Sequence, residues 1–380
     1  ADDSDTITTH FEYHSMEANI LKLDMLGHDD PTMIKMLEDL TGVNARAIPL
    51  DDPDTMSIFT SSKVLGFEND EILGPTGAVA IPEFNTRFTR QMLIDTQPKD
   101  FNTLVRLSGF SHGTDVWAGN IRDLIVNKIA TVNETVGCRD DIMLYLISMG
   151  LDPKMSFKIM EAVRKGKVKK GGFQEGWEEA MREHQVPDWY IGSLAKIGYL
   201  FPKAHAVAYV MMAFRIAWFK VHQPLAFYAA YFYRRSQKGG FDAAMMTGGT
   251  DDVRRRINDM RRRTDLTANQ EDLLVTLEAV YEFNMRGFEF APIDLYESDA
   301  TKFMLADEKR LRPPFVAISG LGESAAIDLA RIKESGKRYI SVEELSRDCP
   351  KVSQTHLEQL KALGALGDMP ESSQINLFEL

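Results

Sequence analysis

The stretch YLFPKAHAVAYVMMAFRIAWFKVHQPLAFYAAYF, residues 199–232, decides which kind of fold the chain can adopt. Its apolar residues recur at helical spacing over many turns. Pro224 interrupts the run, because a proline inside a helix removes a backbone hydrogen bond and clashes with the preceding turn. The stretch therefore predicts two consecutive apolar helices, over 205–222 and 225–236.

Helical periodicity extends over most of the neighbouring sequence. From 82 to 250 amphipathic segments follow one another and strand signals are nearly absent. At 30–42, Asp30 is typical of an N-cap and Gly42 of a helix end. A single long helix is predicted over 251–286, followed by a short strand-like stretch and two helical hairpins. The chain is therefore predicted to be mainly α with a small α/β portion. The other predicted helices cover 86–95, 101–107, 120–126, 138–149, 152–165, 174–185 and 188–198.

Composition indicates an ordinary soluble protein. The 380 residues are 44% hydrophobic and 26% charged. No run of about 20 apolar residues suggests a membrane span, and the acidic start ADDSDTITTH lacks the order of a signal peptide. A cytoplasmic location and no membrane partner are therefore predicted. Cys138 and Cys349 form no metal-ligand spacing, which favours reduced structural thiols.

Local charge is more informative than net charge. A formal charge of −12 argues at first against a nucleic-acid partner. However, 163–170 contains five basic residues, in a predicted glycine-containing loop, and 254–263 contains six arginines. Both runs are predicted to hold DNA. The alternative is a solvated face paired with nearby acids such as Asp251, Asp252 and Asp259.

Two polar segments are candidates for ligand contacts. Lys203 and His205 lie at the mouth of the apolar helix, where unpaired N–H groups favour an anion; solvent-facing polar positions are the alternative. RLSGFSHGTDVWAGN, 106–120, suggests a loop close to a ligand, with an ordinary polar turn as the alternative. Ser111 and His112 are adjacent and no GxSxG motif is present, so a hydrolase triad is excluded.

A third candidate lies in NILKLDMLGHDDPT, residues 19–32. Leu21 and Leu23 alternate with Lys22 and Asp24, which predicts a strand with one buried face and both charges on the other. A carboxylate on a rigid strand suits a divalent metal, and an ammonium suits a phosphate. A solvent-facing charged pair on a half-buried strand is the alternative.

The C-terminal region contains two further motifs. Gly320 and Gly322 flank a tight hairpin whose amides can hold one DNA phosphate without reading sequence. The terminal QINLF contains Gln374, Leu377 and Phe378. An exposed leucine and phenylalanine in a polar tail favour a partner pocket. A tail that docks on its own domain is the alternative.

Taken together and in order, these stretches resemble a known family. LKLDMLGHDDPT, IPEF, RLSGFSHGTDVW, FPKAHAVAYVMMAFRIAWFKVH, the GLG hairpin and QINLF are similar to the C-terminal part of PolC-type alpha subunits of bacterial DNA polymerase III. The resemblance implies three regions: a C-terminal palm piece at 1–66, helical fingers at 67–250, and a duplex- and clamp-binding domain at 251–380. The last would contain a helix-hairpin-helix unit at about 313–369 and a clamp-binding tail at 374–378.

The resemblance also implies residue roles. Asp24 would be the third of three metal-binding aspartates for two Mg²⁺ ions, with Lys22 near the incoming triphosphate. The other two aspartates precede this chain in the family, so the chain alone is predicted to be inactive. Phe201 would pack or stack beside the nucleotide contacts, which are Arg106, His112, Lys203, His205 and Tyr209. The predicted DNA contacts are Lys167, Lys169, Lys170, Arg254, Arg255, Arg261, Arg262, Gly320 and Gly322.

The implied function is that of a portion of a replicative DNA-directed DNA polymerase. Such an enzyme adds deoxynucleotides to a primer 3′ end by two-metal phosphoryl transfer. The implied partners are primer-template DNA, dNTPs, the sliding clamp, the rest of the polymerase chain and the clamp loader. The alternative is a DNA- and clamp-binding module with no catalysis of its own, and primer extension distinguishes the two.

Overall fold

The structure, a computed structural model, describes residues 5–16, 18–21, 23 and 27–372. Lys22 and Asp24 lie outside the described residues, and so do the tail residues Gln374, Leu377 and Phe378. The roles predicted for these five side chains therefore stay predictions.

Eighteen α-helices and one small sheet make up most of the described part of the chain, which confirms the predicted mainly α fold. The helices are α1 Asp30–Thr41, α2 Pro53–Ser57, α3 Arg87–Thr96, α4 Phe101–His112, α5 Arg122–Val126, α6 Arg139–Ser148, α7 Pro153–Arg164, α8 Lys167–Gly171, α9 Trp177–Glu183, α10 Asp188–Lys196, α11 Lys203–His222, α12 Pro224–Ser236, α13 Ala243–Met246, α14 Thr250–Arg262, α15 Ala268–Met285, α16 Glu323–Ser335, α17 Val342–Asp348 and α18 Gln354–Ala362.

Helix α11 lies at the centre of the core. It packs against α1, α2, α4 and α12, and Val210, Phe214 and Ala217 are fully buried. Within the described residues, α11 alone is long and apolar enough to cross a membrane by length and composition. Its contacts on several sides are those of a core helix, which accounts for its apolar sequence.

The sheet is the small α/β portion. Its strands are β1 Glu289–Phe290, β2 Met304–Leu305 and β3 Arg310–Arg312. β3 is central, parallel to β1 and antiparallel to β2. The strand-like stretch predicted after the long helix is therefore confirmed at β1.

The single helix predicted over 251–286 is wrong. The structure has two helices, α14 and α15, separated by residues 263–267. Thr267 caps α15: its hydroxyl accepts from the backbone N–H of Gln270, whose side chain accepts from Thr267 N–H. This reciprocal pair starts a new helix, a local signal that the charge-rich periodicity concealed.

Helix α1 is confirmed, with its predicted cap displaced by one residue. The N-cap is Asp29, while Asp30 is the first helical residue and is buried. Gly42 ends the helix with a φ of 71°, a left-handed conformation that glycine adopts without strain.

The described part of residues 19–25 does not form the predicted half-buried strand. Leu21 and Leu23 are 84% and 76% exposed, and neither belongs to a strand. Because a strand needs a paired neighbour to bury one face, alternation alone could not bury these leucines. No described residue pairs with either of them.

Candidate functional site

Four aromatic rings from three parts of the chain form a continuous row. His28 stacks on Tyr209 at 4.8 Å between ring centroids, Tyr209 on Phe201 at 6.3 Å, and Phe201 on His112 at 4.7 Å. Adjacent planes differ by 14° to 23°. His205 meets Phe201 and Tyr209 edge-on. We call His28, Tyr209, Phe201 and His112 the ring row.

A carboxylate lies behind each end of the ring row: Asp30 is buried, and the Glu83 side chain is 9% exposed. Asp30 Oδ2 is 3.3 Å from His28 Nδ1, and Glu83 Oε2 is 3.4 Å from His112 Nε2. Ser108 Oγ also donates to Glu83, at 3.3 Å. Burial raises the pKa of the Asp30 carboxyl to about 6, although the neighbouring His28 opposes this rise.

Two cations next to the ring row share one counter-ion. Asp141 accepts from Arg106 Nη1 at 3.2 Å and from Lys203 Nζ at 3.3 Å. Arg106 also donates to the carbonyl oxygen of Thr135 at 2.6 Å. The backbone N–H groups of residues 137–138 donate to the same Asp141 carboxylate at 3.0 Å. Asp141 therefore fixes both cations at the start of α6.

Close packing between α4 and the start of α6 positions Arg106. Gly109 of α4 lies against the backbone of Gly137, where an added Cβ would be 2.1 Å from the carbonyl oxygen. Only glycine permits this approach. The loop predicted over 106–120 is wrong at its start, because α4 continues to His112; the small residues serve helix packing there.

All five predicted nucleotide contacts therefore meet in one cluster. They come from α4 and from the first two turns of α11, which are distant in sequence. Sequence reasoning missed four supporting residues: His28, Asp30, Glu83 and Asp141. The first two lie in the quoted GHDDPT and the third in the quoted IPEF, so the motifs were recognised but these side chains received no role in a ligand site.

A fully buried ion pair lies at the other end of α11. Lys220 Nζ is 2.6 Å from Glu282 Oε1, and both side chains are completely inaccessible. Lys220 also donates to the carbonyl oxygens of Gly77 and Val79, at 2.7 and 2.6 Å. Burial lowers the pKa of Lys220 to about 8, although Glu282 favours its charged form. The pair fixes the beginning of the loop that carries Glu83.

The first basic run is helical. Residues 163–170 comprise the end of α7 and most of α8, separated by Lys165 and Gly166, so the predicted loop is wrong. Gly166 has a φ of 66°, a left-handed conformation that glycine adopts without strain. Lys167 and Lys170 are exposed, whereas Lys169 pairs with Asp115 at 2.7 Å.

Most arginines of the second basic run have acidic partners. Arg254 pairs with Asp251 at 3.3 Å, and Asp252 pairs with both Arg255 and Arg256. This is the pairing that the sequence left open as the alternative to DNA contact.

The end of the same run also has structural contacts. Arg261 donates to Glu278 at 2.7 Å and to the carbonyl oxygen of Ile72 at 2.9 Å. Glu278 also accepts from Arg90 of α3 at 2.6 Å. Among the described residues, Arg262 has no ion-pair partner. Arg261 therefore joins α14 to α15 and to the segment at Ile72, while Arg262 is exposed to solvent.

The predicted glycine hairpin lies between a short 3₁₀ turn, Phe315–Ala317, and α16. Gly320 has a φ of 78°, and Gly322 precedes the first residue of α16 without a side-chain cap. The first amides of α16 therefore have no side-chain acceptor from their own N-cap.

The described residues do not provide a metal centre. No group of three or more His, Cys, Asp or Glu side chains there is arranged to hold a metal ion. The predicted ligand Asp24 lies outside the described part of the chain.

Two parts of the chain match known protein families. Residues 30–185 match the bacterial DNA polymerase III alpha subunit finger domain, and residues 287–374 match the helix-hairpin-helix motif. The two matches define this chain as part of a bacterial DNA polymerase III alpha subunit.

Similarity to individual proteins extends over the whole chain. It is 53% identical to DNA polymerase III PolC-type of Caldanaerobacter subterraneus over 379 residues, 100% of this chain and 26% of that protein. Its identity to the PolC-type proteins of Bacillus cereus and Streptococcus mutans is 50%, over 98% of this chain and 25% of each relative. The chain belongs to the PolC-type DNA polymerase III family and spans about a quarter of the length of these relatives.

Proposed function

We propose that this chain supplies the nucleotide-binding and DNA-binding part of a replicative DNA-directed DNA polymerase. The whole protein would add deoxynucleotides, directed by a template, to the 3′ end of a primer. One observation carries the proposal: Arg106, His112, Lys203, His205 and Tyr209 meet in one cluster around the ring row.

The chemistry of this cluster fits a nucleoside triphosphate. Arg106 and Lys203 donate to Asp141, and Asp140 accepts from the backbone N–H of Lys203 at 3.2 Å, so both cations are fixed in position before any ligand arrives. Lys203 and His205 also lie in the first turn of α11, where the helix dipole favours anions. Tyr209 and Phe201 stack on each other and on the two end histidines, so they hold both histidines in the ring row beside these cations.

Metal ions belong to the proposal only through residues outside the described part. Two Mg²⁺ ions would supply the charge neutralisation that phosphoryl transfer needs, and we propose Asp24 as one ligand with Lys22 beside it. The described residues contain no matching ligand group, so no metal-dependent step is assigned to them. We expect the isolated chain to show no primer extension. Extension by this chain would mean that residues other than those proposed here bind the metal ions.

The remaining regions are proposed to hold DNA and the clamp. Exposed Lys167 and Lys170 and the amides after Gly322 can contact phosphates without reading sequence. We propose that Leu377 and Phe378 of the tail bind a pocket on the sliding clamp. Other partners would be the rest of the polymerase chain and the clamp loader, in the cytoplasm.

Binding of inorganic tripolyphosphate and of dGTP to the isolated chain tests the nucleotide role. Loss of one charge-assisted contact is worth roughly 1.5–3 kcal/mol, so we expect Lys203→Met to weaken both ligands about 10- to 100-fold by titration calorimetry. Lys196→Met is the matched control, because Lys196 is exposed and donates to the carbonyl oxygen of Gly119 at 3.0 Å. Equal affinities for Lys203→Met and wild type would contradict the proposal.

A further inference from the structure

The two carboxylates behind the ring row have no role in the function proposed above. We propose that Asp30 and Glu83 are positioning residues of the nucleotide site: each holds one end histidine of the ring row in place, and as a cation, for the phosphate groups. This inference rests on the proposed function, which names His112 as a contact, and it adds His28 as a second one.

The contacts of His112 support this charge state. Its Nδ1 is 2.9 Å from the carbonyl oxygen of Ser108, with the Ser111 hydroxyl at 3.2 Å. Its Nε2 is 3.4 Å from Glu83 Oε2. A carbonyl oxygen and an ionised carboxylate only accept hydrogen bonds, so the ring can donate toward both only when both nitrogens carry protons. An imidazolium stacked on Phe201 also gains a favourable cation–π contact.

The surroundings of Asp30 give an independent argument that His28 is a cation. Asp30 is 6% exposed, and its Oδ2 accepts no hydrogen bond from any described residue. A buried carboxylate without compensation is costly, and His28 Nδ1, at 3.3 Å, is the cation placed to provide it. The other charged groups near Asp30 are the carboxylates of Asp29 and Glu83. Asp29 is itself paired with Arg234 and Lys238.

The backbone at Glu83 shows that this carboxylate is held there at a cost. Its φ is +68°, a left-handed conformation that is strained for a residue other than glycine. Strain of this kind persists where surrounding structure enforces it, and it concentrates at functional sites. Here Lys220 holds Gly77 and Val79 at the start of the loop. The loop conformation that directs Glu83 toward His112 is therefore fixed from the core.

The test uses Asp30→Asn and Glu83→Gln, which remove charge and keep shape. Asp95→Asn is the matched control, because Asp95 is 11% exposed and pairs with Arg122 at 2.7 Å, outside the ring row. Affinity for inorganic tripolyphosphate is measured by titration calorimetry. We expect each test variant to lose about 5- to 10-fold and the control to match wild type.

A second measurement separates positioning from general structural damage. The ¹⁵N signals of histidine rings report which nitrogens carry protons. We expect Asp30→Asn to change the ring signals of His28 but not of His112, and Glu83→Gln to do the reverse. Unchanged signals of the paired histidine in either variant would overturn the inference.

The outcomes distinguish this inference from the function on which it rests. If Lys203→Met weakens tripolyphosphate binding while Asp30→Asn and Glu83→Gln bind like wild type, the positioning role is wrong and the nucleotide site stands. If the wild-type chain binds no tripolyphosphate, the nucleotide site is wrong. The inference, which names that ligand, is overturned with it, whatever the ring signals show.

Discussion

The two ends of α11 carry the same residue in opposite situations. Lys203, in the first turn, is 36% exposed at its side chain and shares Asp141 with Arg106. Lys220, in the last turn, is completely buried and pairs with Glu282 at 2.6 Å. Both interrupt the same apolar sequence. The difference shows that burial, rather than residue type, decides whether a lysine can meet a ligand.

The two ends are also connected. Lys220 holds the start of the loop at residues 77–85. From this loop Glu83 reaches His112, and His112 stacks on Phe201, two residues before α11 begins. The buried end of α11 therefore supports the exposed end through the loop and α4.

The largest effect is expected from breaking the buried pair. Lys220→Met leaves Glu282 charged and uncompensated in the core, which typically costs about 3–5 kcal/mol. We expect a loss of that size in the free energy of unfolding, measured by urea denaturation. A loss under about 1 kcal/mol would contradict the structural role given to this end of α11.

A double variant sharpens this comparison. Lys220→Met combined with Glu282→Leu removes both charges, and replacing a whole buried pair by apolar residues is often nearly neutral. We expect partial recovery only, because the Tyr228 hydroxyl, which donates to Glu282 at 2.6 Å, and the carbonyl oxygens held by Lys220 lose their partners. Full recovery would show that these hydrogen bonds add little to stability.

A smaller effect on the free energy of unfolding is expected at Asp30, and this effect depends on pH. Burial raises the pKa of its carboxyl from 3.8 to about 6, so between these values the folded chain binds more protons than the unfolded chain. Stability therefore decreases as pH rises through this window, by roughly 1–3 kcal/mol in total.

Asp30→Asn removes the ionisable group and with it this loss of stability at higher pH. We expect the variant to unfold at a higher temperature than wild type at pH 8 and at nearly the same temperature at pH 4, by calorimetry. Together with weaker tripolyphosphate binding, this would show that Asp30 is retained for binding at a cost in stability. A variant less stable than wild type at pH 8 would contradict the assignment.

The smallest effects are expected on α14, where two arginines form a matched pair. Arg255 pairs with Asp252, whereas Arg262 has no ion-pair partner among the described residues. If α14 contacts DNA, Arg262→Gln should lower the log–log salt slope of duplex binding by about 0.9, the value for one phosphate contact. Arg255→Gln should change it less, and either variant should alter stability by under about 1 kcal/mol. Equal slopes in both variants would favour a solvated face.

Local features were predictable from the sequence. Apolar periodicity predicted α11 and α12, since a strong helical repeat and Pro224 are local signals. Resemblance to the polymerase family singled out five residues that the structure brings together, and their contact with a nucleotide stays a prediction. The ion pairs between the α14 arginines and the acids three or four residues before them could also be predicted, because helix geometry alone brings such residues together.

The supporting carboxylates could not be predicted in the same way. Glu83 reaches Ser108 across 25 residues, and Asp141 reaches Arg106 across 35. Such contacts depend on how helices pack, which no local pattern encodes. The strand predicted around Leu21 failed for the same reason, since its burial required a partner that alternation cannot supply.

Lysine footprinting of the chain tests the central claim most directly, because α11 contains both kinds of lysine. The amines are acylated with and without saturating dGTP, and modification is read by mass spectrometry, with exposed Lys158 of α7 as reference. We expect dGTP to lower the modification of Lys203 and to leave the modification of Lys158 unchanged. Lys220 should be unmodified in both samples. Equal modification of Lys203 with and without the nucleotide would contradict the assignment of this end of α11 to nucleotide binding.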